Sequence, residues 1–184
     1  MKKKLLLSML AFFCLMSGKA WAQTFTQGDL KYTVTDDEAK TVSVTRASND
    51  IAGAIVLPST VTNEGVTYSV TETAAGAFHN CTGITAMTIP ASVTTVKRGF
   101  LTGCTGLKTF TIEDSDTPLY FDNGYWNYTA GEDQLCVADL DYFYMGRDIT
   151  MYNTNKNVVE AAKKIVLGGK MTVIPGGSPT RTRL

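Results

Sequence analysis

The chain is poor in the residues that most often carry chemistry. It has one histidine, His79, in 184 residues. A single imidazole, with no partners at telling spacings, gives neither a histidine-rich metal cage nor a Ser/His/Asp or Cys/His catalytic assembly. Charged residues make up only 18% and are balanced, 17 basic against 17 acidic. There is no basic excess to attract nucleic acid or an anionic membrane. Cysteines number four, and Cys14 lies in an amino-terminal apolar stretch. The remaining three, Cys81, Cys104 and Cys136, are an odd set that argues against a disulfide framework. Long apolar runs are also lacking. The only one, Leu5 to Met16, falls short of the ~20 residues that span a bilayer, so no membrane span is expected.

That short run is preceded by Lys2, Lys3 and Lys4 and followed by the small-x-small triplet Ala20-Trp21-Ala22. The pattern is that of a secretory signal peptide over residues 1–22, cleaved after Ala22. Cys14 follows Phe13 rather than a small residue, which disfavours lipid attachment. The chain is therefore expected to be exported across the inner membrane and to reside in the periplasm, on the cell surface or in the medium. Removing residues 1–22 takes away four of the 17 basic residues and no acid, leaving 13 against 17 and a formal charge near −4.

What the chain does have is internal repetition. Ala77-Phe78-His79-Asn80-Cys81 recurs as Gly99-Phe100-Leu101-Thr102-Gly103-Cys104, which aligns Phe78 with Phe100 and His79 with Leu101. After each cysteine comes the spacing apolar-x-x-apolar-x-apolar: Ile84, Met87 and Ile89, then Leu107, Phe110 and Ile112. The same template reads Ala52-x-x-Ile55-x-Leu57, Leu140-x-x-Phe143-x-Met145 and Ala162-x-x-Ile165-x-Leu167, five copies in all. Apolar residues then return four and seven positions on, at Val93 and Val96, Ile149 and Tyr152, and Met171 and Ile174.

A unit this short cannot bury its own apolar face, so copies must stack into a shared core. Alternating apolar residues and β-branched content make each unit a strand, turned by Gly or Pro at its end. The expected fold is mainly β: a short solenoid of about five rungs over residues 71–175, with a flexible tail over 176–184. Only Asn157 to Lys164 reads as a helical turn. Lys31 to Thr35 and Thr41 to Thr45 alternate around the polar Asp36 to Lys40, the pattern of a hairpin. A further strand, Tyr68 to Thr71, pairs through the turn at Asn63 to Thr67. Residues 23–70 are accordingly expected to form an amino-terminal β cap that includes the first rung.

The run Gly76-Ala77-Phe78-x-x-Cys81-x-x-Ile84-x-x-Met87-Thr88-Ile89-Pro90-x-Ser92-Val93 resembles the BspA-type leucine-rich repeat of bacterial surface and secreted proteins of the Bacteroides group. The upstream Ile55-Val56-Leu57-Pro58-Ser59-Thr60-Val61 resembles the usual entry into such arrays. The resemblance is specific over 51–112 and degenerate over 113–175. It implies a leucine-rich-repeat-type solenoid with a strand on the concave side of each rung. It also implies adhesion or ligand binding without catalysis.

The expected repeat core comprises Phe78, Cys81, Ile84, Met87, Ile89, Phe100, Cys104, Leu107, Phe110, Ile112, Phe143, Ile165 and Leu167. Cys81 and Cys104 are expected as a ladder of buried thiols, since equivalent side chains on stacked rungs point in parallel, a poor geometry for a bridge. Glu113, Asp114, Asp116 and Asp122 lack the ligand spacing and glycine of a calcium loop and are expected as a solvated turn. Aromatic residues crowd into 120–152. Tyr142 and Tyr144 flank Phe143 and should face away from the core, and Trp126 lies in an insertion between rungs. These three form the candidate ligand-binding surface, because Tyr and Trp bury much area for few lost rotamers. The expected partner is an extracellular protein or glycan, with no nucleic acid and no cofactor. Self-association is also expected, through the carboxyl-terminal rung, whose strand edge no later repeat covers.

Overall fold

The computed structural model describes residues 23–122, 140–151 and 162–173, and its regular structure there is entirely β. The amino-terminal strands are β1 (Thr24–Gln27), β2 (Leu30–Asp36), β3 (Thr41–Arg46), β4 (Gly53–Val56), β5 (Thr60–Asn63) and β6 (Val66–Thr73). They are followed by β7 (Ile84–Ile89), β8 (Thr95–Lys97), β9 (Thr109–Ile112), β10 (Leu119–Asp122), β11 (Tyr142–Arg147), β12 (Ile149–Met151) and β13 (Ile165–Lys170).

The chain winds as a solenoid between two sheets. A five-stranded parallel sheet has the order β13-β11-β9-β7-β4, which is the set of strands read from the repeat template. The second sheet runs β1-β2-β3-β6-β8-β10-β12, with β5 hairpinned onto β6. From β3 to β12 its members along that path pair in parallel, and β1 to β3 are antiparallel.

A third side has no regular strand. There the turns at 76–83 and 99–106 stack through bonds from the Gly76, Phe78 and Asn80 amides to the carbonyls of Arg98, Phe100 and Thr102. These bonds fix an alignment that differs from the sequence reading. Gly76 matches Gly99, Phe78 matches Leu101, His79 matches Thr102 and Asn80 matches Gly103. The cause is backbone conformation: both turns need a residue at positive φ just before the cysteine, filled by Asn80 at 59° and Gly103 at 77°. Phe100 therefore sits one position earlier than Phe78, and their rings meet edge to face at 5.5 Å.

Between the sheets, equivalent apolar residues stack in rows. Ile55, Met87, Phe110, Phe143 and Ile165 form one row, and Ile89, Ile112, Met145 and Leu167 another. Phe110 and Phe143 stack with ring centroids 5.2 Å apart. Phe78, Cys81, Ile84, Phe100, Cys104 and Leu107 are buried on the turn side of the same core. Each such side chain contributes roughly 1.5–3 kcal/mol of transfer free energy.

Three positions, Ile165, Leu167 and Ala52, depart from the repeat template. Leu167 is 39% exposed and Ile165 only partly buried. Among the described residues β13 pairs with β11 alone, so its side chains lack the second neighbour that buries Ile112 and Met145. In the first rung Ile51 is buried and Ala52 exposed, because Gly53, at φ 83°, shifts the register against β7.

The hairpin at 31–45 is β2–β3, closed by the Ala39 amide on Asp36 and a Lys40–Asp37 ion pair. The strand at Tyr68 is β6, which turns from β5 through Glu64 and Gly65, both at positive φ. Strand β1 was not legible in the sequence. Of the helical turn read at 157–164, residues 157–161 lie outside the described residues; Ala162 forms a bridge with Leu140.

Candidate functional site

The outer face of the five-stranded sheet carries two rows perpendicular to the strands. One is Ala54, Ala86, Thr109 and Tyr142; the other is Val56, Thr88, Thr111, Tyr144 and Val166. On β4, β7, β9 and β11 they face outward because each alternates with a buried residue of the same strand. No side chain in either row is charged. Val56, at 65%, is the most exposed large apolar residue of the sheet. The floor is built of small or β-branched groups, and the two tyrosines rise from it on β11.

Both tyrosine rings are held. The Tyr144 hydroxyl donates to Asp114 Oδ1 and Oδ2 at 3.1 and 3.0 Å, and this hydrogen bond pushes the phenol above its ordinary pKa. Lys164 Nζ lies 5.8 Å from the centroid of the Tyr142 ring, in cation–π range. Close by, Lys163 pairs with Asp141 at 2.7 Å and Lys170 with Asp116 at 2.8 Å. Gly168 is required at this corner: a Cβ there would strike the Tyr144 hydroxyl, Asp114 and the Gly146 backbone. Trp126, the third candidate surface residue, lies outside the described residues, as do Cys136 and Tyr152.

The carboxylates that could have formed a cation loop are engaged individually. Asp114 and Asp116 are bound as above, and Glu113 accepts from the Ala91 amide at 3.2 Å. Among the described residues no three metal-ligating side chains cluster, and no helix is long and apolar enough to cross a membrane. Cys81 and Cys104 are free and buried. Cys104 Sγ donates to the Phe78 carbonyl at 3.0 Å, and burial pushes this thiol up to about 11. His79 is exposed on its turn.

One buried group had no signal in the sequence. Arg147, at the end of β11, is fully buried. Its Nη2 donates to the Pro90 carbonyl at 2.9 Å, and its Nη1 to Ala91 at 3.0 Å and more weakly to Thr117 at 3.5 Å. Pro90 and Ala91 belong to the corner after β7, two rungs away. The intervening corner, 113–118, is longer than the corner at 90–94, and Arg147 passes inside it. Burial pulls this guanidinium below its ordinary pKa, and Glu113 acts in the opposite direction. Only an unusually long corner at 113–118 could have hinted at such a filler.

These stacked parallel strands with inward apolar rows have counterparts of known structure. A leucine-rich repeat protein from Bacteroides capillosus aligns with a TM-score of 0.56 at 22% identity, over 79% of this chain and 99% of that one. The chain has the leucine-rich-repeat fold. The pneumococcal vaccine antigen PcpA aligns at a TM-score of 0.51 and 17% identity over 82% of this chain, which spans only 39% of the antigen. A leucine-rich repeat protein from Bacteroides ovatus aligns over 69% of this chain and 36% of that one, at 17% identity and a TM-score of 0.47. No family model and no curated protein matches. The leucine-rich-repeat solenoid is thus shared with a protein of the group whose repeat the sequence resembles.

Proposed function

We propose that the chain is an exported, non-catalytic recognition module that binds an extracellular protein through the outer face of its five-stranded sheet. The observation that carries this reading is the pair of uncharged rows that contain two tyrosines held in place, Tyr144 by Asp114 and Tyr142 by Lys164. Aromatic side chains already fixed lose little entropy on binding, and an uncharged floor costs little to desolvate. Export rests on the residue 1–22 pattern.

The test is a binding screen of the mature chain against surface and matrix proteins. Saturable binding is expected, and it should be lost in Tyr142→Ser/Tyr144→Ser with the circular dichroism spectrum unchanged. Retention of binding in that variant would sink the assignment of the face. The alternative, glycan binding through the 120–152 region, is motivated by Trp126 and predicts a responsive glycan array that Trp126→Ala silences.

Self-association through the last rung is a further part of this reading. It is supported by Leu167 and by the half-buried Val166 on β13, a strand that pairs on one side among the described residues.

A further inference from the structure

A second candidate site lies away from the tyrosine face. It is an open groove of about 560 Å³ on the turn side, lined by Lys31, Thr45, Arg46, Ser48, Asn49 and Gly76, with Ala47 and Ala75 completing it. Its volume is in the range that holds a ligand of one or two sugar rings. Every side chain that reaches it is either small or polar, and two are cations. This concentration of positive charge stands out in a mature chain whose formal charge is near −4.

Arg46 is locked in place. Its Nε donates to Asn49 Oδ1 at 2.7 Å, and its Nη1 donates to the carbonyls of Gly76 and Ala77 at 2.7 and 2.8 Å. The other terminal nitrogen, Nη2, makes no hydrogen bond or ion pair among the described residues, and neither does Lys31 Nζ. Lys31 stands on β2 directly across from Thr45, the residue before Arg46. A guanidinium fixed by three acceptors and a mobile ammonium on the facing strand provide donors for one oxyanion at little ordering cost.

We propose that this groove binds an acidic sugar, with its carboxylate or sulfate on Arg46 Nη2 and Lys31 Nζ and its hydroxyls on Thr45, Ser48 and Asn49. The lining favours a saccharide over an acidic peptide, because it offers hydroxyl and amide groups and no aromatic or large aliphatic surface for a peptide side chain. Orientation follows from charge. Beyond Ala47 and Ser48 the neighbouring notch is lined by Asp29 and Asp50, which repel an anion and confine the acidic group to the Arg46 end.

The experiment is a calorimetric and NMR titration of the mature chain with digalacturonate, with a 6-sulfated disaccharide and with neutral galactobiose. Saturable binding of at least one acidic disaccharide is expected, and the two acidic arms separate carboxylate from sulfate recognition. Amide shifts should centre on Lys31, Ser48 and Gly76, and affinity should fall between 20 and 150 mM salt. Lys31→Gln should weaken binding about fivefold, and Lys31→Glu should abolish it. These variants are chosen because Arg46→Gln removes turn contacts and can unfold the region. Tyr142→Ser/Tyr144→Ser should bind the sugar unchanged, which separates this site from the sheet face. The proposal is overturned if neither acidic sugar saturates, if galactobiose binds equally well, if Lys31→Glu binds as the parent does, or if tetraglutamate binds in place of the sugars.

Discussion

The Tyr144 hydroxyl, on the fourth strand of the five-stranded sheet counted from the amino-terminal edge, donates to both carboxylate oxygens of Asp114, 30 residues earlier, on the corner of the preceding rung. An ionised acceptor favours the protonated phenol, so the folded-state pKa lies above the unfolded one. The contact therefore supports the fold below the ordinary tyrosine pKa of 10.0 and is lost as pH rises through the raised value. Ultraviolet titration should show the Tyr144 phenol ionising late, as the Tyr32 phenol does because of its burial. Asp114→Asn should move the Tyr144 phenol back toward 10.0, and Tyr144→Phe should remove it.

The two thiols of the turn ladder should be chemically silent in the native chain. In a Cys136→Ser background, Cys81 and Cys104 should react with a thiol reagent at neutral pH only after unfolding. Burial raises both thiols, Cys104 to about 11, so their share of stability is intact at neutral pH and is lost as pH rises toward that value. Cys81→Ser and Cys104→Ser should each cost ~1–3 kcal/mol in denaturant melts. A two-dalton mass change on reduction of this background would reveal a bridge and contradict the prediction.

Truncating Arg147 should destabilise the described solenoid about as much as truncating a buried phenylalanine such as Phe110. Arg147→Ala removes the guanidinium donors from the Pro90 and Ala91 carbonyls, of which Pro90 keeps the Val93 amide, and should cost about 3 kcal/mol in urea melts. Arg147→Lys should recover only part of that, since an ammonium cannot span both carbonyls with the guanidinium's fork. A loss under 1 kcal/mol for Arg147→Ala would show that the clamp contributes little.

Gly146→Ala tests the tightness of the same corner. A Cβ at 146 would meet the Glu113 carbonyl carbon and the Ile112 carbonyl oxygen at 2.6 Å, so backbone must move, at a cost of ~1–3 kcal/mol. Gly169→Ala is the control: nothing lies within 4 Å of its added methyl, and its melting temperature should match the parent's.

Light scattering checks self-association. A concentration-dependent mass is expected at high micromolar protein. Val166→Lys should hold the chain monomeric without altering its circular dichroism spectrum.

The five-stranded sheet was legible because one pattern, apolar-x-x-apolar-x-apolar, encodes an inward-facing stripe that every copy must satisfy to share a core. The hairpins at 31–45 and 60–73 were legible from alternation and turn residues. The offset between Phe78 and Phe100 was not, because residue identity suggested one alignment and the positive-φ demand at Asn80 and Gly103 imposed another. The last rung also misled: Leu167 fits the template, but a template carries no information about whether a neighbouring strand arrives to cover it. Of the candidate sites, Tyr142 and Tyr144 could be named from alternation beside Phe143. The Lys31–Arg46 groove could not, since it joins a cap strand to a turn 30 residues away.

A stack held together only by contacts between adjacent layers behaves as a linear chain of coupled switches, able to fray from either end one layer at a time. Arg147 adds a link that skips a layer: the fourth copy of the template is bonded to the corner of the second past the third. Such a next-nearest-neighbour link penalises every state in which the third layer is ordered and either flank has melted. Hydrogen exchange should then report one common opening free energy across β7, β9 and β11, in place of a gradient. The same link restricts how the array can change length, because excising the third copy would bring the guanidinium one layer too close to the carbonyls it was built to reach.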